Sequence, residues 1–285
     1  MPAKITTLTK TDLASYIELV RAGFGAELAA RGTSIAGVAR LARVLLSCRS
    51  LPLRTIELLT HRGLFILLAK EGGRAVGMLT VLKKSVPILI GAYVREEYRR
   101  SGVALALIDE ALSRLKGLGY LRVQGAVFDH TAQLLVERAG FVPYDHIDLY
   151  QRSLPLGTGY PADGSVQRAR RVDIPRHPYD LGPINALTGV RTRRLVVRSG
   201  QREALEAMLI ALPHQRVGEV QLRIIPPASE GALHALLGAA DGWFTKLGRT
   251  MISVSLHDDT QALASILIEE GFVKRHSWVQ MAVDL

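Results

Sequence analysis

Two segments of this chain echo each other at a nearly fixed spacing, and that repeat limits the folds open to it. Gly102 falls on Gly231 and Leu118-Gly119 on Leu247-Gly248 at an offset of 129, while Gly140-Phe141 falls on Gly271-Phe272 at 131. Asp129-His130-Thr131-Ala132-Gln133 likewise resembles Asp258-Asp259-Thr260-Gln261. Two extra residues near the last helix account for the difference in offset. A spacing kept across helix, glycine, strand and helix segments reads as duplication. A chain of 285 residues has room for two domains of about 100–150 residues, each able to bury a core.

Local periodicity fills in the first copy. Residues 5–8 read as a short strand, followed by a Thr11-Asp12 cap and a helix carrying Leu13, Tyr16, Ile17, Leu19 and Val20 on one face. A second helical stretch covers 35–46. Apolar runs at 64–69 and 75–82, joined by Glu71-Gly72-Gly73-Arg74, predict a hairpin, and 87–94 predicts a buried strand. The period then changes: Val103, Leu107, Ile108, Ala111, Leu112 and Leu115 mark a helix that stops at Gly117-Leu118-Gly119. A strand at 121–128, a helix at 131–138 and a strand reaching about Tyr150 complete the unit. Residues 155–192 are rich in Pro and Gly, as a linker or irregular insert would be. We expect domains at 1–152 and 193–285, separated by the insert 153–192.

Composition narrows the class. Apolar residues make up 48% and charged residues 22%, a globular balance that excludes a disordered acidic chain. The single cysteine, Cys48, forms no internal disulfide or multi-cysteine zinc site and reads as a small buried hydrophobe. The eight histidines show no ligand spacing that also offers a carboxylate or cysteine, so no metal is expected. No signal-length apolar core opens the chain and no apolar run is long enough to span a bilayer. The expectation is a soluble, cytoplasmic protein with no membrane partner. The formal net charge is +10, of which residues 1–150 contribute +7 and the remainder +3. Such an excess recruits anions, but no run of five basic residues marks a nucleic-acid tail, so nucleic acid is not the expected partner.

The stretch that carries chemistry is Val94 to Leu107, where a strand ends and a helix begins around Arg99-Arg100-Ser101-Gly102-Val103-Ala104. Such a turn aims unpaired backbone N–H groups at one point, and the helix dipole adds about half a positive charge. Small residues at Gly102 and Ala104 let a phosphate approach the main chain, and the arginines add charge-assisted bonds. A plain strand-to-helix turn punctuated by glycine is the competing reading. No Gly-x-x-x-x-Gly-Lys phosphate loop occurs.

This segment resembles motif A of the GNAT superfamily of acyl-CoA-dependent N-acyltransferases, Arg/Gln-x-x-Gly-x-Gly/Ala, with Arg99, Gly102 and Ala104 at its defined positions. Asp129 to Phe141 is similar to the family's later helix, matching at Ala132, Glu137, Gly140 and Phe141. The resemblance covers roughly residues 1–152. It implies an α+β fold, a mixed, mostly antiparallel GNAT sheet flanked by helices and duplicated in tandem. It further implies acetyl-CoA as cosubstrate, its pyrophosphate held by the amides of about Arg100, Ser101, Gly102, Val103 and Ala104 beside Arg99. Pantetheine would pair with the main chain of Ala92, Tyr93 and Val94, and the acetyl carbonyl would lie near Tyr93, where a backbone N–H can stabilise the tetrahedral oxyanion.

The pattern also departs from the family. The tyrosine that often protonates the leaving thiolate is Val136 here, and residues 87–94 hold no Asp or Glu. Tyr93, Asp129 and His130 are the substitute candidates for proton transfer, although a strand-end aromatic and helix-capping residues explain them equally well. Tyr144 and His146 are weaker candidates for lining an acceptor cleft. In the second copy the motif becomes Ala228-Ser229-Glu230-Gly231-Ala232-Leu233 after Pro226-Pro227. Its arginines are gone, and Glu230 would repel phosphate. This copy is expected to be degenerate and without its own CoA, with Trp243, Trp278 and His276 serving as core or interface. The resemblance implies an N-acetyltransferase acting on a primary amine of a small molecule or peptide in a ternary complex. The alternatives are a non-catalytic acyl-CoA-binding module and, behind it, a charge-driven nucleic-acid binder.

Overall fold

The glycine pair at 72–73 turns the first strong hairpin. Gly72 and Gly73 have φ of 55° and 83°, the left-handed pair that a tight two-residue turn requires, and Glu71 pairs with Arg74 across it. The computed structural model describes residues 3–30, 35, 39, 63–157, 166–169, 189–199, 202–212, 215–224 and 230–285. The helical stretch expected at 35–46, Cys48, most of the insert and Pro226 to Ser229 lie outside the described residues, apart from isolated positions 35 and 39.

In chain order the elements are β1 (Lys4–Thr7), α1 (Leu13–Ala30), β2 (Gly63–Glu71), β3 (Arg74–Lys83), β4 (Ile88–Val94), α2 (Val103–Gly117), β5 (Arg122–Val127), α3 (His130–Arg138), β6 (Val142–Ser153), β7 (Val166–Arg168), β8 (Arg191–Ser199), β9 (Arg202–Ala211), β10 (Val217–Ile224), α4 (Glu230–Lys246), β11 (Met251–Leu256), α5 (Ala264–Glu269) and β12 (Val273–Asp284). The fold is the expected mixed α+β one.

Contacts divide the chain into residues 1–144 with 278–285, and residues 145–277. The first unit's sheet runs β1-β2-β3-β4-β5 and is completed by the end of β12; the second runs β6-β11-β10-β9-β8-β7. Sequence places 145–152 with the first domain and 278–285 with the second. In the structure Val279 to Asp284 pair with β5 and Asp148 to Ser153 pair with β11. Each unit therefore takes its closing strand from the other half of the chain. The alternation that makes both segments strands is blind to which sheet they join.

In the first unit β3 is buried along nearly its whole length, because helices cover both faces of the sheet. Leu107, Ile108, Ala111 and Leu115 of α2 pack on Leu67, Leu79 and Val81. On the other side, Tyr16, Leu19 and Val20 of α1 pack on Ile66, Leu68 and Met78. Apolar runs without alternation are the sequence mark of strands covered on two sides. β4, expected as a buried strand, is instead mostly half-buried, with Val94 alone fully buried.

The second unit packs α4 on β8, β9, β10 and β11 through Leu233, Leu236, Leu237 and Phe244. Its most buried acid among the described residues is Asp148 on β6, 5% exposed, which accepts from Lys274 Nζ at 2.7 Å and Ser277 Oγ at 2.6 Å. Burial alone would raise this carboxyl, but the Lys274 and Ser277 bonds outweigh it and hold the group below its ordinary value. A depressed folded pKa adds stability above the unfolded value of about 3.9 that disappears as pH falls through the folded value. Asp148→Asn is therefore expected to cost about 1–2 kcal/mol at pH 7, since the partner lysine is half-exposed. Melts of wild type and variant should converge below about pH 4. A constant gap from pH 7 to pH 3 would refute the linkage.

Candidate functional site

β4 is paired unequally on its two sides. Toward β3 it pairs from Gly77↔Val94 to Leu82↔Ile88, with a bulge at Ile90 where Thr80 faces Gly91 and Val81 faces Leu89. Toward β5 its parallel pairing stops after Ile88↔Gln124 and Leu89↔Gly125. Among the described residues, the edge facing away from β3 has no strand partner from Ile90 to Val94, in keeping with the half-burial of β4. Unpaired N–H and C=O groups in a row accept an extended ligand as an added strand. Ala92 and Val94 turn their N–H and C=O groups toward this edge, whereas Tyr93, opposite Met78, turns its own toward β3. The corresponding parallel pair of the second unit, β10 with β11, stays in register over five residues, Val217↔Met251 to Gln221↔Ser255, and opens no such edge.

The unpaired edge leads directly into the turn. After Val94, Arg95 N–H donates to Val76 O at 2.9 Å and Glu96–Tyr98 makes one tight helical turn. Ser101 Oγ donates back to Tyr98 O at 2.6 Å. Arg100 has φ of 62°, and no other non-glycine residue among those described has a positive φ. Gly102 follows at φ 82° and begins α2 without a capping side chain. A left-handed non-glycine residue costs about 1–2 kcal/mol, and such strain collects where a backbone must face a ligand. Left-handed residues interleaved with ordinary ones turn successive N–H groups inward, forming an anion-binding concavity at the positive end of a helix. A Cβ on Gly102 would meet no atom within 4 Å, so the space before the turn is open.

The turn is fixed from beneath. Val103 is 8% exposed, and a Cβ on Gly77 would lie 3.2 Å from Val103 Cγ1, Val94 Cγ2 and Tyr93 O. A side chain at this position would press β3 and the start of α2 apart by a few tenths of an ångström. Of the arginines, Arg99 is held by Val94 O at 3.3 Å and by exposed Glu96 at 3.5 Å, and Arg95 by Glu18 at 3.2 Å. Arg100 makes no ion pair among the described residues and keeps its charge for a ligand. Open space, left-handed backbone and a spare guanidinium fit the pyrophosphate of CoA.

The acid–base candidates have other attachments. The Tyr93 ring packs against α1: a Cβ on Gly23 would stand 2.6 Å from its Cδ2, and the Arg99 guanidinium lies 5.9 Å from its centroid. Asp129 caps α3, its Oδ1 accepting from Ala132 N at 2.8 Å. His130 is the exposed first residue of that helix. Val136 packs into the apolar cluster beneath α2 and supplies no proton donor. Tyr144 bonds Gln280 Oε1 within the first unit. His146 belongs to the second unit, where its N–H donates to Asp258 Oδ2 at 3.1 Å.

Sequence reasoning missed two pairs. Tyr16, taken as one position in an apolar stripe, is 5% exposed, and burial pushes its phenol up, offset in part by a hydrogen bond with Thr80. Thr80 faces Gly91 across the β4 bulge. In the second unit, His257 Nδ1 lies 2.6 Å from Asp145 Oδ2, a carboxylate–imidazole pair whose members are 112 residues apart. No local spacing could have announced it. No group of three or more His, Cys, Asp or Glu residues suited to a metal exists among the described residues. No helix among them is long and apolar enough to cross a membrane.

The model of the acetyltransferase (GNAT) family matches residues 34–141. Among solved structures, a tandem GNAT protein from the clavulanic acid biosynthesis pathway is similar at a TM-score of 0.63 and 14% identity, covering 99% of this chain and 98% of its own. A GCN5-related N-acetyltransferase from Sphaerobacter thermophilus also reaches 0.63, at 15% identity over 99% and 95% of the two chains. A putative acetyltransferase from Pyrococcus horikoshii reaches 0.60, at 14% identity over 100% and 90%. At these identities the likeness is one of fold. No curated protein has a matching sequence.

Proposed function

We propose that the chain transfers an acetyl group from acetyl-CoA to a primary amine, since residues 34–141 match the GNAT acetyltransferase family model and the fold is similar to that of a tandem GNAT protein. The amine, from a small molecule or a peptide, attacks directly within a ternary complex, and one CoA binds per chain. The observation that carries this reading is the continuity of an unpaired β4 edge, Ile90 to Val94, with a turn holding left-handed Arg100 and Gly102. Bound acetyl-CoA supplies an acyl group already activated as a thioester.

The residues take separate tasks. The amides of Arg100, Ser101, Gly102, Val103 and Ala104 hold the pyrophosphate, with Arg99 and Arg100 adding charge. The main chain of Ala92 and Val94, on either side of Tyr93, aligns the pantetheine arm. In this reading a main-chain N–H of the open edge beside Tyr93, that of Ala92 or Val94, stabilises negative charge developing on the acetyl oxygen, the kind of preorganised donor that contributes most to acyl transfer. A lysine-like ammonium, with a pKa of about 10.4, must lose a proton before it attacks. Asp129 and His130, at the open end of β5, are placed to take it through water, and the Tyr93 side chain is the other candidate.

Calorimetric titration with acetyl-CoA and with CoA is expected to show one site per chain. A panel of amines should then reveal turnover that rises with pH as the ammonium is neutralised. Two sites would overturn the assignment of the second unit as CoA-free. Tight binding with no turnover on any amine would replace the transferase by an acyl-CoA-binding module. The packed Tyr93 ring and Val136 at the family's tyrosine position favour that second reading.

A further inference from the structure

The second half of the chain concentrates its positive charge. Of its 16 lysines and arginines, eight fall between residues 166 and 198, against two acids, Asp173 and Asp180. The fold draws part of this charge to one place. β7 ends at Arg168, paired with Leu195, and Ala169 N–H makes a last bond to Arg194 O at 3.1 Å. Among the described residues, β8 continues beyond that point toward Arg191 without a partner on this side. Arg168, Ala169, Thr192, Arg193 and Arg194 line a cavity of about 320 Å³ at this edge, near the small end of ligand-sized pockets.

Arg193 stands where strand alternation calls for a core residue. Leu195 and Val197, on the same face of β8, are 3% and 1% exposed in the core under α4, and Arg193 itself faces buried Leu209. Its Nε is buried with no hydrogen-bond partner. The same is true of Arg249 Nε, and burial first, then the charge of Arg191, pushes the Arg249 guanidinium down from its ordinary value. No carboxylate among the described residues pairs with Arg168, Arg191 or Arg193. A buried unpaired donor and a set of like charges oppose folding. A bound anion reverses both effects at once, and the planar forks of arginine match phosphate oxygens two at a time.

We propose that this cavity is a second anion site, separate from the turn that begins α2, and that it takes a small molecule bearing at least two phosphate groups. Its size favours a compact ligand over a nucleic-acid backbone, which needs positive charge spread along a groove. The site stands whether or not the first unit acetylates an amine.

Tripolyphosphate is the probe, titrated calorimetrically into the full chain. Wild type is expected to bind it at two sites, the turn and the cavity. Gly102→Glu should leave the cavity alone, and Arg168→Gln with Arg193→Gln should leave the turn alone. With all three changes combined, binding should weaken by about a hundredfold relative to Gly102→Glu, roughly tenfold for each lost charged contact. The double arginine variant should melt no lower than wild type, because it removes an unpaired buried donor, and it should keep its CoA affinity. Citrate should bind the cavity at least about tenfold more weakly than tripolyphosphate, since carboxylates offer fewer acceptor oxygens per charge centre. Equal tripolyphosphate affinity with and without the two arginines overturns the site. Citrate binding as tightly as tripolyphosphate overturns its phosphate class. Binding of a single-stranded RNA oligonucleotide without any response to tripolyphosphate overturns the small-molecule assignment.

Discussion

Replacing Gly102 by glutamate is expected to abolish CoA binding, raising Kd at least about a thousandfold, equivalent to roughly 4 kcal/mol. Three effects act in one direction. The residue sits at φ 82°, where any side chain adds about 1–2 kcal/mol of strain. The new carboxylate enters the open space before the turn, where no atom lies within 4 Å of a Cβ, and so occupies the volume a phosphate needs. Its charge repels the pyrophosphate at the end of a helix that otherwise favours anions. Gly102→Ala separates these effects, because it adds the strain and a methyl group pointing into open space, and about a tenfold loss is expected. The glutamate projects away from the core, so far-ultraviolet circular dichroism should not change. Wild-type affinity in the glutamate variant would refute the site.

The second large effect is structural and lies in the other unit. Gly218 on β10 passes directly beneath Phe244 of α4. A Cβ there would stand 2.2, 2.4 and 2.5 Å from ring atoms Cδ1, Cε1 and Cγ. Phe244 is fully buried among Leu236, Leu237 and Val254 of the same core, so the ring has nowhere to retreat. Gly218→Ala is expected to destabilise this unit by about 3 kcal/mol through overpacking, lowering its melting temperature by roughly 10 °C. Phe244→Leu should restore part of the loss in the double variant, with a coupling of about 2 kcal/mol. Strict additivity of the two single changes would mean that the glycine is not there to admit the ring. Because the turn proposed to hold CoA belongs to the other unit, acetyl-CoA titration below the melting temperature should be unaffected.

Much of the fold was legible locally. The Gly72-Gly73 turn, the apolar spacing of α2 and its glycine stop, and Asp129 at the start of α3 each follow from conformational preferences acting over a few residues. So did the turn from Arg99 to Ala104, since a small residue just inside a helix start leaves its mark on the sequence itself. The left-handed conformation of Arg100 did not, because arginine carries no preference for it and the surrounding structure imposes it. Tyr16 shows the same limit from another side: its ring is one more apolar position on α1, and only Thr80, arriving from β3, gives its buried hydroxyl a hydrogen-bond partner.

The sequence by itself determined the two-fold repeat, the mixed α+β character of each copy and the small, arginine-flanked turn that opens α2. Tertiary structure alone decided which strands close each sheet. It also decided that β4 parts from β5 after two residues while β10 and β11 stay paired over five. Strand alternation records which face of a segment is apolar and carries no address for its partner. Partner choice is settled by the packing of whole sheets. For the same reason the edge of β4, the Asp145–His257 pair and the arginines around the β8 edge came into view only once residues distant in the chain had been brought side by side.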